Sequence, residues 1–191
     1  MRYIAICLSL SVALVGPVFA HGGLEQANSF AAGIAHPLGG ADHILAMVAV
    51  GLWGAIAGGR ALWVWPLAFV ATMLAGFAAA TVGLQVPFVE PAVVASIVVL
   101  GLSIALARSA PIWLGALISG LFAFFHGHAH GTESTVASVI PYAAGFALAT
   151  AGLHAAGIGA GLLAADPIGK FAVRALGGGI AVWGAATMIG G

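Results

Sequence analysis

The sequence predicts an all-α, polytopic membrane protein: a compact bundle of six transmembrane helices that follows a cleaved signal peptide. Three observations carry this expectation. Of 191 residues 62% are hydrophobic and 5% charged, with a mean hydropathy of +1.16, whereas soluble domains carry about 25% charged residues. The apolar residues form long runs without two-residue alternation, and in lipid such runs must be helices, because the backbone has to satisfy its own hydrogen bonds. The basic residues beyond the first 20 positions fall only in alternate connections between runs.

The first element, residues 1–20, reads as a secretory signal. Arg2 supplies the positive n-region, "IAICLSLSVALVG" is a short apolar stretch, and "VFA" ends at Ala20 with small residues at the cleavage-determining positions. The run stops at Pro17, short of the roughly 20 residues of a full span. Cleavage would remove Cys7, the single cysteine, and leave a mature chain with no disulfide and no thiolate metal site. It would also make His21 the N-terminal residue, where a mobile terminus is the ordinary expectation.

Residues 21–191 read as one membrane domain. Hydropathy places its spans at Gly33–Ala57 (interrupted near its start), Leu62–Val82, Pro91–Ala107, Ile112–His130, Val136–Gly157 and Phe171–Ile189. Each is near the length that crosses a core of about 30 Å. Glycine and alanine are dense in them, as in "GGGIAVWGAA", which lets membrane helices approach closely. Two sets of three spans would be inverted relative to each other, an arrangement common in transporters.

Arg60, Arg108, Lys170 and Arg174 all fall on one side if the six spans alternate, and the positive-inside rule makes that side the cytoplasm. A cleaved signal independently puts the new N-terminus outside. Both mature termini are therefore expected in the periplasm of a bacterial inner (cytoplasmic) membrane protein. Trp63 and Trp65, beside Arg60, fit as interface anchors. The net charge is zero and charge runs are absent, so nothing points to nucleic acid; the expected surroundings are the lipid bilayer.

With the topology taken from lysine and arginine alone, the acids and histidines converge. "HPLGGADH" (36–43) opens the first span on the outer side, Glu90 opens the third, and "HGHAHGTE" (126–133) closes the fourth. An ionisable group at a span centre costs about 2.5–3.5 kcal/mol, so a function is the default reading. On a helix His126, His130 and Glu133 share a face at i, i+4 and i+7, while His128 points about 200° away. Pro37, Gly39 and Gly40 break the first motif's helix, and irregular backbone at membrane depth belongs inside the bundle or along a cavity.

The candidate metal residues are thus His36, Asp42, His43, Glu90, His126, His130 and Glu133. Glu90 stands before Pro91 and equally fits an ordinary helix start. Asp42 could cap the first span's helix, Asp166 before Pro167 reads as a turn or cap, and His154 reads as structural or as lining an exit path. Imidazole with carboxylate and no sulfur suits nickel, cobalt or zinc, disfavours copper(I), and does not separate the three.

The two motifs resemble the paired signatures of the HupE/UreJ family, HPxxGxDH and HGxxHGxE. Every fixed position is present: His36, Pro37, Gly40, Asp42 and His43, then His126, Gly127, His130, Gly131 and Glu133. Signal, span count and size resemble the family over the whole chain. The resemblance implies a nickel permease of the bacterial inner membrane that serves metalloenzyme assembly, [NiFe] hydrogenase for HupE-type members and urease for UreJ-type ones. Length and signal look HupE-like. Glu90 is no part of either signature and rests on its position alone. Ni²⁺ would be cargo rather than a prosthetic group, and maturation proteins would be indirect partners.

A permease is the expected function, without catalysis: no Walker A loop is present and no nucleotide domain fits. The competing readings are an intramembrane metal-dependent enzyme and a metal sensor built on the same cluster. No HExxH motif supports the enzyme.

Overall fold

The computed structural model describes residues 30–133 and 139–190, with the side chain of Glu133 outside that description. The expected signal peptide, His21, and the connection that includes Val136 lie outside it as well. Among the described residues every regular element is helical: α1 (Phe30–Ala35), a 3-10 turn (His36–Leu38), α2 (Ala41–Ala57), α3 (Ala61–Thr81), α4 (Val89–Ala105), α5 (Ile112–Glu133), α6 (Val139–Leu163) and α7 (Pro167–Gly190).

Four helices, α3, α5, α6 and α7, are long and apolar enough to cross a membrane. The pair α1 and α2 passes the same test jointly but is bent by 86° at the break, and α4 is a shorter apolar helix. The break falls where the sequence predicts it. Pro37 is the second residue of the 3-10 turn and Gly40 is an extended N-cap at φ −112° and ψ 125°.

Most helix ends fall within three residues of the hydropathy spans, and two boundaries differ by more. The fifth was expected to end at Gly157, yet α6 continues to Leu163 through "GIGAGLL"; glycine is tolerated in membrane helices where soluble propensities would stop them. The sixth was expected from Phe171, yet α7 starts at Pro167, with Asp166 Oδ1 accepting from the Gly169 N–H at 2.6 Å. Asp166 is thus the cap that its place before Pro167 suggests.

The helices pack chiefly as α3 on α5, α4 on α7 and α2 on α6, with α1 also on α6. Exchanging α2, α3 and α4 in order for α5, α6 and α7 leaves this pairing unchanged. Close approach rests on reciprocal glycines. A Cβ on Gly76 would strike the Phe124 carbonyl of α5, and one on Gly127 the Met73 carbonyl of α3. Gly51 and Gly157 do the same between α2 and α6, meeting the carbonyls of His154 and Val48. Packing rather than burial of oil holds membrane helices together, so backbone-to-backbone approach matters more than in water.

One end of the bundle gathers the basic residues. Trp53, near the end of α2, donates its indole N–H to the Arg108 carbonyl at 2.7 Å, and Trp65 donates to the Ile112 carbonyl at 3.0 Å. Arg174 Nε donates to the Ala105 carbonyl at 2.9 Å. The histidine motifs lie at the other ends of these helices.

Candidate metal-binding site

The site is built from α2 and its broken start, from the last turns of α5, and from α4 and α6. The bend sets His36 beside the end of α5: its ring centroid is 4.4 Å from that of His130 and 5.8 Å from that of Tyr142 on α6. His130 is also 4.2 Å from His43 and 4.7 Å from Phe146. One turn deeper, His126 stands 5.0 Å from His43 and 5.8 Å from Phe69. Four imidazoles from the two motifs thus form one cluster inside the bundle, with His126 fully buried.

Hydrogen bonds fix which nitrogen of two rings carries the lone pair. Asp42 Oδ1 lies 2.9 Å from His43 Nδ1. A carboxylate accepts, so Nδ1 holds the proton and Nε2 the lone pair. Ser96 on α4 has one hydroxyl proton, and it goes to the Val93 carbonyl at 2.6 Å. Ser96 Oγ therefore accepts from His126 Nε2–H, 2.9 Å away, which leaves the His126 lone pair on Nδ1. His43 Nε2 and His126 Nδ1 are both buried with no hydrogen-bond partner. A buried acceptor without a donor is costly. An imidazole whose other nitrogen is held by a carboxylate or hydroxyl is the usual form of a metal ligand. The donor set therefore fits a borderline divalent cation.

The cluster is not a closed coordination shell. Among the described residues no three histidine, aspartate or glutamate side chains stand in metal-holding geometry. His36 meets His130 and His43 meets His126 edge to face, while His43 and His130 are tilted at 55°, so gathering their lone pairs on one ion requires them to turn about their side-chain torsions.

The motif glycines acquire reasons. A Cβ on Gly40 would lie 2.6 Å from Asp42 Oδ1 and 2.9 Å from His43 Nδ1, the two atoms of the orienting pair. Gly127 and Gly131 sit on the face of α5 turned to α3, where a Cβ on Gly131 would come within 2.6 Å of the Phe77 carbonyl. The alternation in "HGHAHG" puts two histidines on the cluster face and two glycines against α3.

The remaining expected residues fall elsewhere. Glu90 occupies the first turn of α4, is exposed, and does not join the four rings. It lines a separate cavity of about 490 Å³ with Leu84, Gln85, His128 and Thr132. His128 points away from the cluster, as helical phase predicts, and its Nε2–H donates to the Leu84 carbonyl at 2.7 Å. The Glu133 backbone ends α5, and its side chain lies outside the described residues. Ser96, Phe69, Tyr142 and Phe146 contribute to the site without having been singled out from the sequence. A serine in a membrane helix usually bonds its own backbone, so Ser96 carried no distinguishing signal.

Comparison with known proteins agrees with the motifs. The family described as HupE / UreJ protein matches residues 8–187. The chain is 41% identical over 192 residues to Protein HupE of Rhizobium leguminosarum bv. viciae, with all of both chains covered. No solved structure matches. Motifs, helical membrane architecture and whole-chain similarity together place this chain in the HupE/UreJ family.

Proposed function

We propose that this protein is an inner-membrane permease for Ni²⁺. It captures the ion at the His36, Asp42, His43, His126 and His130 cluster on the periplasmic side and passes it to the cytoplasm for metalloenzyme assembly, in the first place [NiFe] hydrogenase. The observation that carries the reading is the pair of oriented, unpartnered lone pairs on His43 Nε2 and His126 Nδ1, buried where two motifs meet. Glu90 serves on this reading as an outer carboxylate in its own cavity, and Glu133 completes the second motif.

Six spans follow if the bent pair α1 and α2 counts as one crossing and α4 as another. The 17 residues of α4 reach about 26 Å along the helix axis, close enough to the core thickness for modest bilayer thinning. The basic end then faces the cytoplasm and the cluster opens outward. Asp42 offsets the charge of the arriving cation, and the histidines replace part of its water. A transport site must also release, which suits rings that gather only around an ion over a prebuilt cage.

The test is uptake of radioactive nickel by cells expressing the protein, with excess Co²⁺, Zn²⁺ or Mg²⁺ added in parallel. The expected result is uptake that Co²⁺ competes for and Mg²⁺ does not. Equal competition by Mg²⁺ would contradict an imidazole-based site.

A further inference from the structure

Beneath the cluster lies a buried histidine that the capture site does not use. His154 on α6 is 1% exposed. Its Nδ1 is 2.7 Å from the Met47 carbonyl of α2, and because a carbonyl only accepts, Nδ1 carries the proton and Nε2 the lone pair. That Nε2 is buried with no hydrogen-bond partner. A histidine placed only to tie α2 to α6 needs its Nδ1 alone; the second nitrogen remains unexplained.

Its surroundings connect it to the cluster. The Phe69 ring is 5.0 Å from His154 and 5.8 Å from His126, so one aromatic side chain separates the deepest cluster histidine from it. Along α6, Tyr142, Phe146, Thr150 and His154 recur every four residues on the buried face. The first two touch His36 and His130, and Thr150 Oγ1 lies 3.5 Å from Met73 Sδ on α3. The stripe runs from the cluster toward the basic end, and His154 is its last polar member. Ser119, seven residues before His126 on α5, is a second fully buried group whose hydroxyl has no partner.

We propose that His154 is an inner way station for the translocated divalent transition-metal cation, reached from the four-histidine cluster when the Phe69 side chain moves aside. The inference rests on the transport reading above. One neutral imidazole, with the Thr150 hydroxyl a helical turn away, holds such an ion weakly, which is what a relay position requires.

The test uses purified full-length protein in liposomes and the variant His154→Asn. Asparagine can still donate to the Met47 carbonyl from near the Nδ1 position but offers nothing at Nε2. The expected result is a maximal nickel transport rate at least ten-fold lower, with KM and equilibrium nickel binding within two-fold of wild type. If His154→Asn does not give a monodisperse protein, His154→Ser, whose short side chain can still donate to the Met47 carbonyl and reaches nothing at the Nε2 position, is read in the same way. A variant that transports within two-fold of wild type overturns the inference, because helix tying alone then explains the residue. Nickel binding that weakens in step with rate also overturns it, since His154 would then support the outer site. Wild-type liposomes that fail to fill with nickel would sink the transport reading itself, an outcome separate from the other two.

Discussion

The His43 and His130 rings stand 4.2 Å apart, centroid to centroid, although each belongs to a different motif on a different helix. This contact joins the two signatures into one site. It depends on the 86° break that turns the first motif inward and on the close seating of α5 against α3.

Coupling between those two rings is the first expected outcome. In a double-mutant cycle read by nickel affinity, His43→Ala and His130→Ala should be strongly non-additive, since either change spoils the shared site. His43→Ala and Glu90→Gln should add to within about 0.5 kcal/mol, because Glu90 lines a cavity that none of the four clustered rings borders. Calorimetric titration of the four proteins measures both terms.

Ser96→Ala should release His126 without unfolding the bundle. The His126 Nε2–H then has no acceptor and the ring is free to turn or change tautomer. Loss of such an orienting partner typically weakens metal affinity about 10- to 100-fold. Nickel affinity should fall by that order while detergent gel filtration stays unchanged; Ser96→Thr, which keeps a hydroxyl, should recover most of it.

Gly40→Ala should act on chemistry rather than folding. The added methyl lands on the Asp42 and His43 side-chain atoms, which can swing away at little cost to the fold but then no longer orient the lone pair. Uptake should drop at least ten-fold at normal protein level. Asp42→Asn should lower uptake as well, by removing the charge that meets the cation while leaving an acceptor for His43.

Gly127→Leu should act on folding. The side chain would be driven into the α3 backbone at Met73, which cannot yield as a flexible side chain can. Overpacking typically costs about 1–3 kcal/mol, and contact with backbone puts this case at the upper end. Loss of monodisperse protein in detergent is the expected reading, with Gly76→Leu behaving alike from the opposite helix.

Much of this arrangement was legible in the sequence, for identifiable reasons. The long apolar runs fixed the helices, and Pro37 with the glycine pair fixed the break. Helical phase alone separates His128 from His126 and His130. What could not be read was anything that depends on which helices are neighbours. Ser96 orients His126 only because α4 lies beside α5, and Phe69 reaches both His126 and His154 only because α3 sits between them. Glu90 illustrates the same limit: topology put it at the correct end of the bundle, but side-chain position within that end is a packing fact. The motif glycines were visible as letters, and their purpose emerged from what a Cβ would strike.

The most direct test of the central claim is nickel accumulation in the lumen of liposomes containing purified wild-type protein, His43→Ala or His130→Ala. Wild type should fill the lumen, and each variant, equally well inserted, should do so at least ten-fold more slowly. A wild type that binds nickel without filling the lumen would identify a sensor or an enzyme instead. Variants that fill it at the wild-type rate would remove the histidine cluster from the transport path.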